Sequence, residues 1–457
     1  MFIGREKELG IMRDALNKKG KHILLYGNRR VGKTTLANKA MSELEDVIIV
    51  NYECKKDTIK SNLISLEKQL YEQKVIAADM RFDSLFGLFG YLNGLNQRIV
   101  ILIDEYPYLY YNEDEETVDS IFQVIIDKYS NNLNIILSGS HIGFMKNLME
   151  HSNPLFARFS VYLNLKEFNY LEASRFYENL SPYDKVAYYV VFGGSPFVLK
   201  QLDYTKGLEY NIKNTYLNET SSINMFASDG YTSDITTKET ANKIFEALGN
   251  TKLRYAKLEE KLGLEKNGLL NKQLKTLIDM QFINKNCPIN KKNDNKKFTY
   301  YINNQMLRFY YNYIYGKTGL ASRLGADAFY EQEIKDSLIG YIAKGFEDIA
   351  RDFVFEAAKR GIIKDIQDVG TYYYDDAKQK INGEFDVAIE KKDSFDIIEV
   401  KYLKDKVTSD IVNKEIEQIN RIAEIKIGKM GFISINGFES NIKGLTYMFD
   451  GKDLYFE

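Results

Sequence analysis

Apolar and polar positions alternate in two rhythms along residues 1–140. REKELGIMRDALNKK repeats its apolar positions at helical spacing, whereas KHILLYG, VIIVNYE, RIVILIDE and NLNIILSGS are short apolar runs bounded by polar residues. Apolar on both faces, these runs predict buried parallel strands with helices between them. The fold class expected is α/β, with a doubly wound parallel sheet at the front of the chain. From about 165 to 235 the pattern is helical and less regular, with GGSP at 193–196 as its main punctuation. ETANKIFEAL, YAKLEEKL and LLNKQLKTLIDM then predict three helices, and FINKN and FTYYI two apolar stretches joined by the polar loop NKKNDNKK. After RFYYNYIY, GKTGLASRLG has linker composition. Beyond it SLIGYIAKGFEDIARDFVFEAAKRG predicts a long helix, and GEFDVAIEKKDSFDIIEVKY (383–402) a hairpin turning through KKDS. KEIEQINRIAEI and GFISI close the pattern as a polar helix and a strand.

At 457 residues the chain has room for about three domains of about 150 residues each. The helices and strands between 237 and 302 follow the order of a winged helix-turn-helix. The segments expected are an α/β core at 1–165, a helical lid at 166–235, a winged helix-turn-helix at 236–315 and a second α/β domain at 325–457. Apolar residues make up 44% and charged residues 28%, which suits a protein with real cores. Basic and acidic residues number 62 and 64, so the whole molecule is no polycation. Locally the balance differs: residues 236–300 hold 14 lysines and arginines against 7 acids, a net of +7. Asn271, Lys272, Gln273 and Lys275 on the third helix, with Lys291, Lys292, Lys296 and Lys297 on the wing, make DNA the expected macromolecular partner. Cys54 and Cys287 lie far apart without a CxxC, and His22, His141 and His151 show no metal spacing. No apolar run reaches the roughly 18 residues needed to cross a bilayer, so no membrane is expected and a reducing cytoplasm is the expected setting. The acidic run NEDEE at 112–116 reads as a solvated loop.

GNRRVGKT at 27–34 fits G-x-x-x-x-G-K-[ST], after a predicted strand and before a predicted helix. Gly27 and Gly32 let the backbone turn tightly, so that N–H groups from Asn28, Arg29, Arg30 and Val31 can face phosphate oxygens. Lys33 would reach the β- and γ-phosphates, Thr34 would ligate Mg²⁺, and Thr35 lies in the positive first turn of the helix. ATP and Mg²⁺ are the cofactors this implies. Downstream, IVILIDEY ends a strand in Asp104, placed to hold Mg²⁺, and Glu105, placed to orient or deprotonate the attacking water. Ser138 and Ser140, at the end of NIILSGS, are candidates for the γ-phosphate or the water. Arg158 is a candidate for the positive charge that stabilises the transition state.

The opening FIGREKEL, GNRRVGKTT, ILIDEYPYL, ILSGS and PLFAR occur in that order and resemble the archaeal ATPase group of P-loop proteins, close to the AAA+ and STAND classes. The resemblance covers roughly residues 2–200, with GGSP opening the lid helices. It implies that Gly4, Arg5 and Glu6 lie near the adenine and that Arg158 is a functional arginine. A homo-oligomer stays open, because such an arginine acts either within its own chain or on a neighbouring subunit. The resemblance further implies a winged helix followed by a domain similar to the PD-(D/E)XK nucleases.

Within 383–402, alternation puts Asp386, Ala388 and Glu390 on one face of a strand and Phe385, Val387 and Ile389 on the other. Glu399 and Lys401, two apart, share a face. If the faces coincide across the turn, two carboxylates and an ammonium converge, a suitable core for Mg²⁺ beside a phosphodiester. Glu-x-Lys alone is common and reads equally as an exposed hairpin with cross-strand ion pairs. Its neighbours resemble the nuclease pattern: Glu347 on the preceding helix as an accessory metal ligand, DVGTYYY at 368–374, and Gln418 on the next helix. Phe385 stands where that family has proline. The function expected is an AAA+-like ATPase coupled to DNA binding and Mg²⁺-dependent DNA cleavage by Asp386, Glu399 and Lys401. The alternative is an ATP-dependent signalling switch or remodeller whose last domain binds without cutting.

Overall fold

The structure, a computed structural model, describes residues 2–113, 115–231, 235, 237–263, 268–294, 296–376, 381–422 and 426–456; of 115, 116, 376 and 381 only the backbone is described. Asp114 of the acidic run, Asn295 of the wing loop and the end of the KEIEQINRIAEI helix lie outside the described residues. The chain divides into two compact units, Met1–Glu167 with Ser195–Phe197, and Phe168–Gly194 with Val198–Glu457. The lid, middle and C-terminal segments expected from the sequence thus share one unit.

In the first unit α1 (Glu6–Leu16), β1 (Ile23–Tyr26), α2 (Lys33–Ser42), β2 (Val47–Glu53), α3 (Ile59–Glu72), α4 (Leu85–Asn93), β3 (Arg98–Asp104), α5 (Glu115–Lys128), β4 (Leu133–Gly139), α6 (Ile142–Asn147) and β5 (Val161–Asn164) follow one another. The strands form one parallel sheet in the order β2-β3-β4-β1-β5. Each central strand feeds two cores. Ile99, Ile101, Ile103, Ile135 and Leu137 pack with Leu63, Phe89 and Phe122 on one face. Val100, Leu102 and Ile136 pack with Met12, Leu16, Leu36 and Ala37 of α1 and α2 on the other. Burial on both faces is why these strands read as unbroken apolar runs. β1 lies between β4 and β5, so the loop leaving it opens at the carboxyl end of the sheet, where α/β folds place their ligands.

The second unit holds α7 (Tyr170–Ser174), α8 (Pro182–Phe192), the end of α9 (Pro196–Leu199), α10 (Gly207–Thr215) and α11 (Ser222–Met225). Lys185–Phe192 of α8 are all buried, and a helix apolar on every side belongs in a core. Next come α12 (Lys238–Leu248), β6 (Leu253–Arg254), α13 (Tyr255–Leu262), α14 (Leu269–Asp279), β7 (Ile283–Asn286) and β8 (Thr299–Ile302). Their strands make a small antiparallel sheet in the order β6-β8-β7. α12 buries Ala241, Ile244, Phe245 and Leu248, and α14 buries Leu270, Gln273, Leu274 and Leu277, each an i, i+3, i+4, i+7 stripe. α15 (Gln305–Tyr313) follows, and the stretch with linker composition forms α16 (Thr318–Leu324) instead, leading to α17 (Ala326–Phe329) and the long α18 (Lys335–Lys359). β9 (Asp368–Asp376), β10 (Ile381–Glu390), β11 (Phe395–Lys401), α19 (Ser409–Asn420), β12 (Ile427–Ser434), β13 (Tyr447–Phe449) and α20 (Gly451–Tyr455) complete the chain. This second sheet is mixed, in the order β13-β12-β11-β10-β9, antiparallel from β9 to β11 and parallel from β11 to β13. Gly345 lets α18 press on α8, since a Cβ there would lie 2.4 Å from Val190 Cγ1.

Among the described residues no helix is long and apolar enough to cross a membrane. Cys54 and Cys287 are not joined in a disulfide. His22 is buried at the head of β1, where Nδ1 accepts the Ile135 N–H at 3.1 Å and Nε2 meets Ser130 Oγ at 3.1 Å. Burial, with Lys21 nearby, pushes its pKa down to about 4. The folded chain therefore binds fewer protons than the unfolded one between pH 6.5 and about 4, and stability is lost as pH falls through that window. We expect a loss on the order of 3 kcal/mol across it. The check is denaturant unfolding of the wild type against His22→Gln, whose slope should be flatter.

Candidate functional site

The first site forms at the carboxyl end of the parallel sheet. Gly27 has φ 154°, and a Cβ there would stand 2.1 Å from Leu165 O, so the loop passes that strand only as glycine. Gly32 (φ 93°) and Arg30 (φ 65°) complete the turn into α2. Lys33 Nζ donates to the carbonyls of Gly27 (3.0 Å) and Asn28 (3.1 Å), so the ammonium already lies over the loop. The first N–H groups of α2, from Lys33 to Thr35, open towards the same space. The back of the loop is braced: buried Arg5 donates to Val31 O at 3.3 Å and to Lys166 O. Arg29 reaches Tyr108 Oη at 3.4 Å. The GGSP segment meets the loop too, through Ser195 Oγ to Arg30 O (3.3 Å) and the Arg30 guanidinium 4.6 Å over the Phe197 ring.

Thr34 Oγ1 donates to Asp104 Oδ2 at 2.5 Å, which joins the two hard-oxygen groups expected to hold Mg²⁺. Their donor chemistry fits that ion, which takes oxygen ligands and keeps several waters. Glu105, next in the chain, sits in left-handed backbone (φ 50°), an unfavourable conformation of the kind held at functional sites. Its Oε2 accepts from Ser140 N–H (3.3 Å) and Ser140 Oγ (3.0 Å). Ser140 is thus the serine that meets the site. Ser138 is fully buried near the end of β4, and its Oγ has no hydrogen-bond partner among the described residues. The Arg158 guanidinium is bidentate to Asp127 (2.9 Å twice) and donates to Pro154 O (2.7 Å).

The second site lies where β10 and β11 separate. The strands pair as far as Val387↔Ile398. On the other edge the β10–β9 register jumps from Phe385↔Tyr372 to Ala388↔Gly370, so Asp386 and Val387 together oppose Thr371 in a β-bulge. The expected alternation is therefore corrected: Phe385 and Ala388 share one core with Ile397, and Ala388 does not face with Asp386. The bulge frees Asp386 to turn its carboxylate to the Val400 N–H of the parted strand. Burial and then Glu347 raise the Asp386 pKa, and burial and then Asp386 raise that of Glu399. The two acids are therefore neighbours in a poorly solvated place. Lys401 Nζ donates to Glu399 Oε1 (2.9 Å) and equally to Glu415 Oε1 on α19 (2.9 Å).

Glu347 lies one helical turn before Arg351 on α18, and burial raises its pKa also. Arg351 donates to Asp386 O at 2.6 Å and to the Asp348 carboxylate, which in turn receives Arg308 of α15 at 2.9 Å. Burial alone would raise the Asp348 pKa, but Arg308 and Arg351 hold it well below the usual carboxylate range. Gln418 donates to Tyr374 Oη at 3.1 Å, which pins α19 to the GTYYY strand. Among the described residues no group of three or more His, Cys, Asp or Glu is placed to hold a metal alone. Two carboxylates suffice for an ion that keeps most of its waters. Sequence reasoning missed Glu415, which sits one turn before Gln418. It also missed Arg351, spaced i+4 from Glu347. Arg308 and Asp348, 40 residues apart, left no local signal.

Part of the expected DNA face is turned inward. Gln273 is buried and donates to Thr237 Oγ1, whereas Asn271, Lys272 and Lys275 stay exposed. In the wing, Lys292 is spent on Asp368 (2.7 Å) and Glu390 (2.6 Å), and Lys297 lies 4.0 Å over the Tyr373 ring.

Fold and loop together define a P-loop ATPase domain in the first unit. Residues 2–202 match the family model described as an ATPase domain predominantly from Archaea. Residues 310–419 match a family described as archaeal and bacterial proteins of unknown function. The uncharacterized protein MJECL04 of Methanocaldococcus jannaschii is 28% identical over 365 residues, which cover 79% of this chain and 78% of that one. Among solved structures, the Walker-type ATPase paby2304 of Pyrococcus abyssi is 18% identical, covering 68% of this chain and 96% of its own, with a TM-score of 0.49. The ORC2 protein of Aeropyrum pernix, in its ADPNP-ADP complexes, is 12% identical over 70% of this chain and 95% of its own, with a TM-score of 0.46.

Glu105→Gln should keep nucleotide binding and lose hydrolysis by on the order of 10²-fold or more, the usual worth of a positioned base. Lys33→Ala should lose binding itself. A filter-binding assay beside phosphate release separates the two outcomes.

Proposed function

We propose that this protein is an ATP-driven enzyme acting on DNA, whose C-terminal sheet carries a Mg²⁺-dependent phosphodiesterase site. The observation that carries this reading is the fork between β10 and β11. There, half-buried Asp386 raises the pKa of half-buried Glu399, and Lys401 stands 2.9 Å from Glu399. Two half-buried acids with raised pKa values are costly without a counter-charge, and such groups gather at functional sites. Mg²⁺, when bound by Asp386 and Glu399 with Glu347 nearby, would supply positive charge to the scissile phosphate. Lys401 holds the Glu399 carboxylate in place and offers its own charge to the phosphate as the phosphodiester breaks. Glu415 fixes the far side of Lys401 and sets its reach.

The three helices and antiparallel strands between 238 and 302 have the order of a winged helix, whose exposed Lys272 and Lys275 supply sequence-blind attraction to DNA. The Arg308–Asp348–Arg351 chain runs from α15, just past those strands, to the Asp386 backbone. It gives a physical route by which the middle segment could set the position of the acids. In the first unit Thr34 and Asp104 would hold Mg²⁺ with ATP, and Glu105, backed by Ser140, would orient the water.

Purified chain should nick plasmid DNA in Mg²⁺ but not in EDTA. Asp386→Ala and Lys401→Ala should each remove the nicking and leave ATP turnover intact. Equal nicking by both variants would remove the nuclease and leave an ATP-driven switch.

A further inference from the structure

A cleft of about 370 Å³ opens in the second unit beside β6 and the first turn of α13. Lys252, Arg254, Lys257 and Lys297 line it, and Glu384 is the acid on its wall among the described residues. Among the described residues Arg254 and Lys297 have no ion pair, whereas Lys252 also acts on the Glu347 and Asp348 carboxylates of α18. Lys257 meets Glu260 at 2.9 Å, but that pair is 71% and 70% exposed and such pairs are worth little. Lys252 and Lys297 lie over the rings of Tyr301 (5.6 Å) and Tyr373 (4.0 Å), contacts that leave an ammonium able to meet an anion. Lys252 and Arg254 are two apart at the short extended β6, which spaces like charges about 7 Å along one side. Repeated cations at that interval match the repeating charge of an extended phosphodiester chain.

The cleft and the acidic fork share the β9–β10 pair. Thr371, which lines it, is the residue opposite the bulge at Asp386 and Val387. Glu384, which also lines it, lies two residues before Asp386 on β10. We propose that this cleft binds the backbone of a single nucleic-acid strand and leads it to Asp386 and Glu399. The proposal rests on the phosphodiesterase reading for its destination, but not for the binding itself. A volume of about 370 Å³ admits a short length of one strand and no double helix. The strand therefore enters here as an overhang or an opened end. The exposed face of α14, with Lys272 and Lys275, is a separate surface.

The test uses full-length chain carrying Asp386→Ala, so that nothing is cut, and a fluorescein-labelled oligothymidylate. Adding Arg254→Glu with Lys257→Glu, both exposed positions, should weaken binding at least tenfold at low salt. The same pair should flatten the slope of log K against log salt by about 1.4, at ~0.7 per phosphate contact on a single strand. The thermal midpoint should not move. Unchanged affinity and slope overturn the proposal, as does loss of binding in Lys272→Glu with Lys275→Glu instead. Competition by polyglutamate as strong as by unlabelled oligothymidylate would assign the cleft to an acidic peptide and overturn it too. Without Asp386→Ala, cleavage of a single-strand overhang unaffected by the charge reversal sinks the cleft and spares the acids. Absent cleavage with charge-dependent binding sinks the phosphodiesterase and spares the cleft.

Discussion

Like charges held side by side away from water need a counter-charge, and the second unit sets Glu347, Asp386 and Glu399 close together under that constraint. Asp386 raises the hold of Glu399 on a proton, and Glu347 raises that of Asp386. The fold has not relieved this by moving them apart. It has added positive groups at the margin instead, with Lys401 on Glu399 and Arg351 near Asp386. Arg351 is itself tied to Asp348, and Lys401 is shared with Glu415. Carboxylates gathered in this way offer the hard oxygen ligands that a divalent ion takes.

The phosphate loop solves the opposite problem, gathering positive partial charge without an anion. Backbone N–H groups at the head of α2 and the Lys33 ammonium converge there. Gly27 is demanded by Leu165 O rather than by any ligand. Arg5 and Ser195 hold the loop carbonyls from behind and brace the loop. Preorganisation of this kind lowers the cost of binding. At both sites a break in regular backbone does the placing: Glu105 in left-handed geometry after β3, and the bulge at Asp386 and Val387 in β10.

Much of this was legible in the sequence because it is local. Strands buried on both faces read as apolar runs, and GNRRVGKT at 27–34 names its own geometry. The Glu399, Lys401 pairing followed from a period of two. What could not be read depends on register and on distant partners. Simple alternation assigned Ala388 to the wrong face because a bulge inserts a residue, and no composition signals a bulge. Ser138 and Ser140 were equivalent in sequence, and only the depth of β4 separates them. Arg158 and Lys292 looked like available charges until Asp127, and Asp368 with Glu390, claimed them from other elements. GKTGLASRLG has the residues of a linker, yet Thr318–Leu324 is helical in its tertiary setting.

The central claim is that Asp386 and Glu399 together form a divalent-metal site. It is tested most directly by titrating Mn²⁺ into nucleotide-free chain carrying Lys33→Ala and Asp104→Asn, with binding followed by electron paramagnetic resonance. The account predicts one bound ion per chain, lost when Asp386→Asn is added. A chain that binds no Mn²⁺, or binds it equally with Asp386→Asn, contradicts the account.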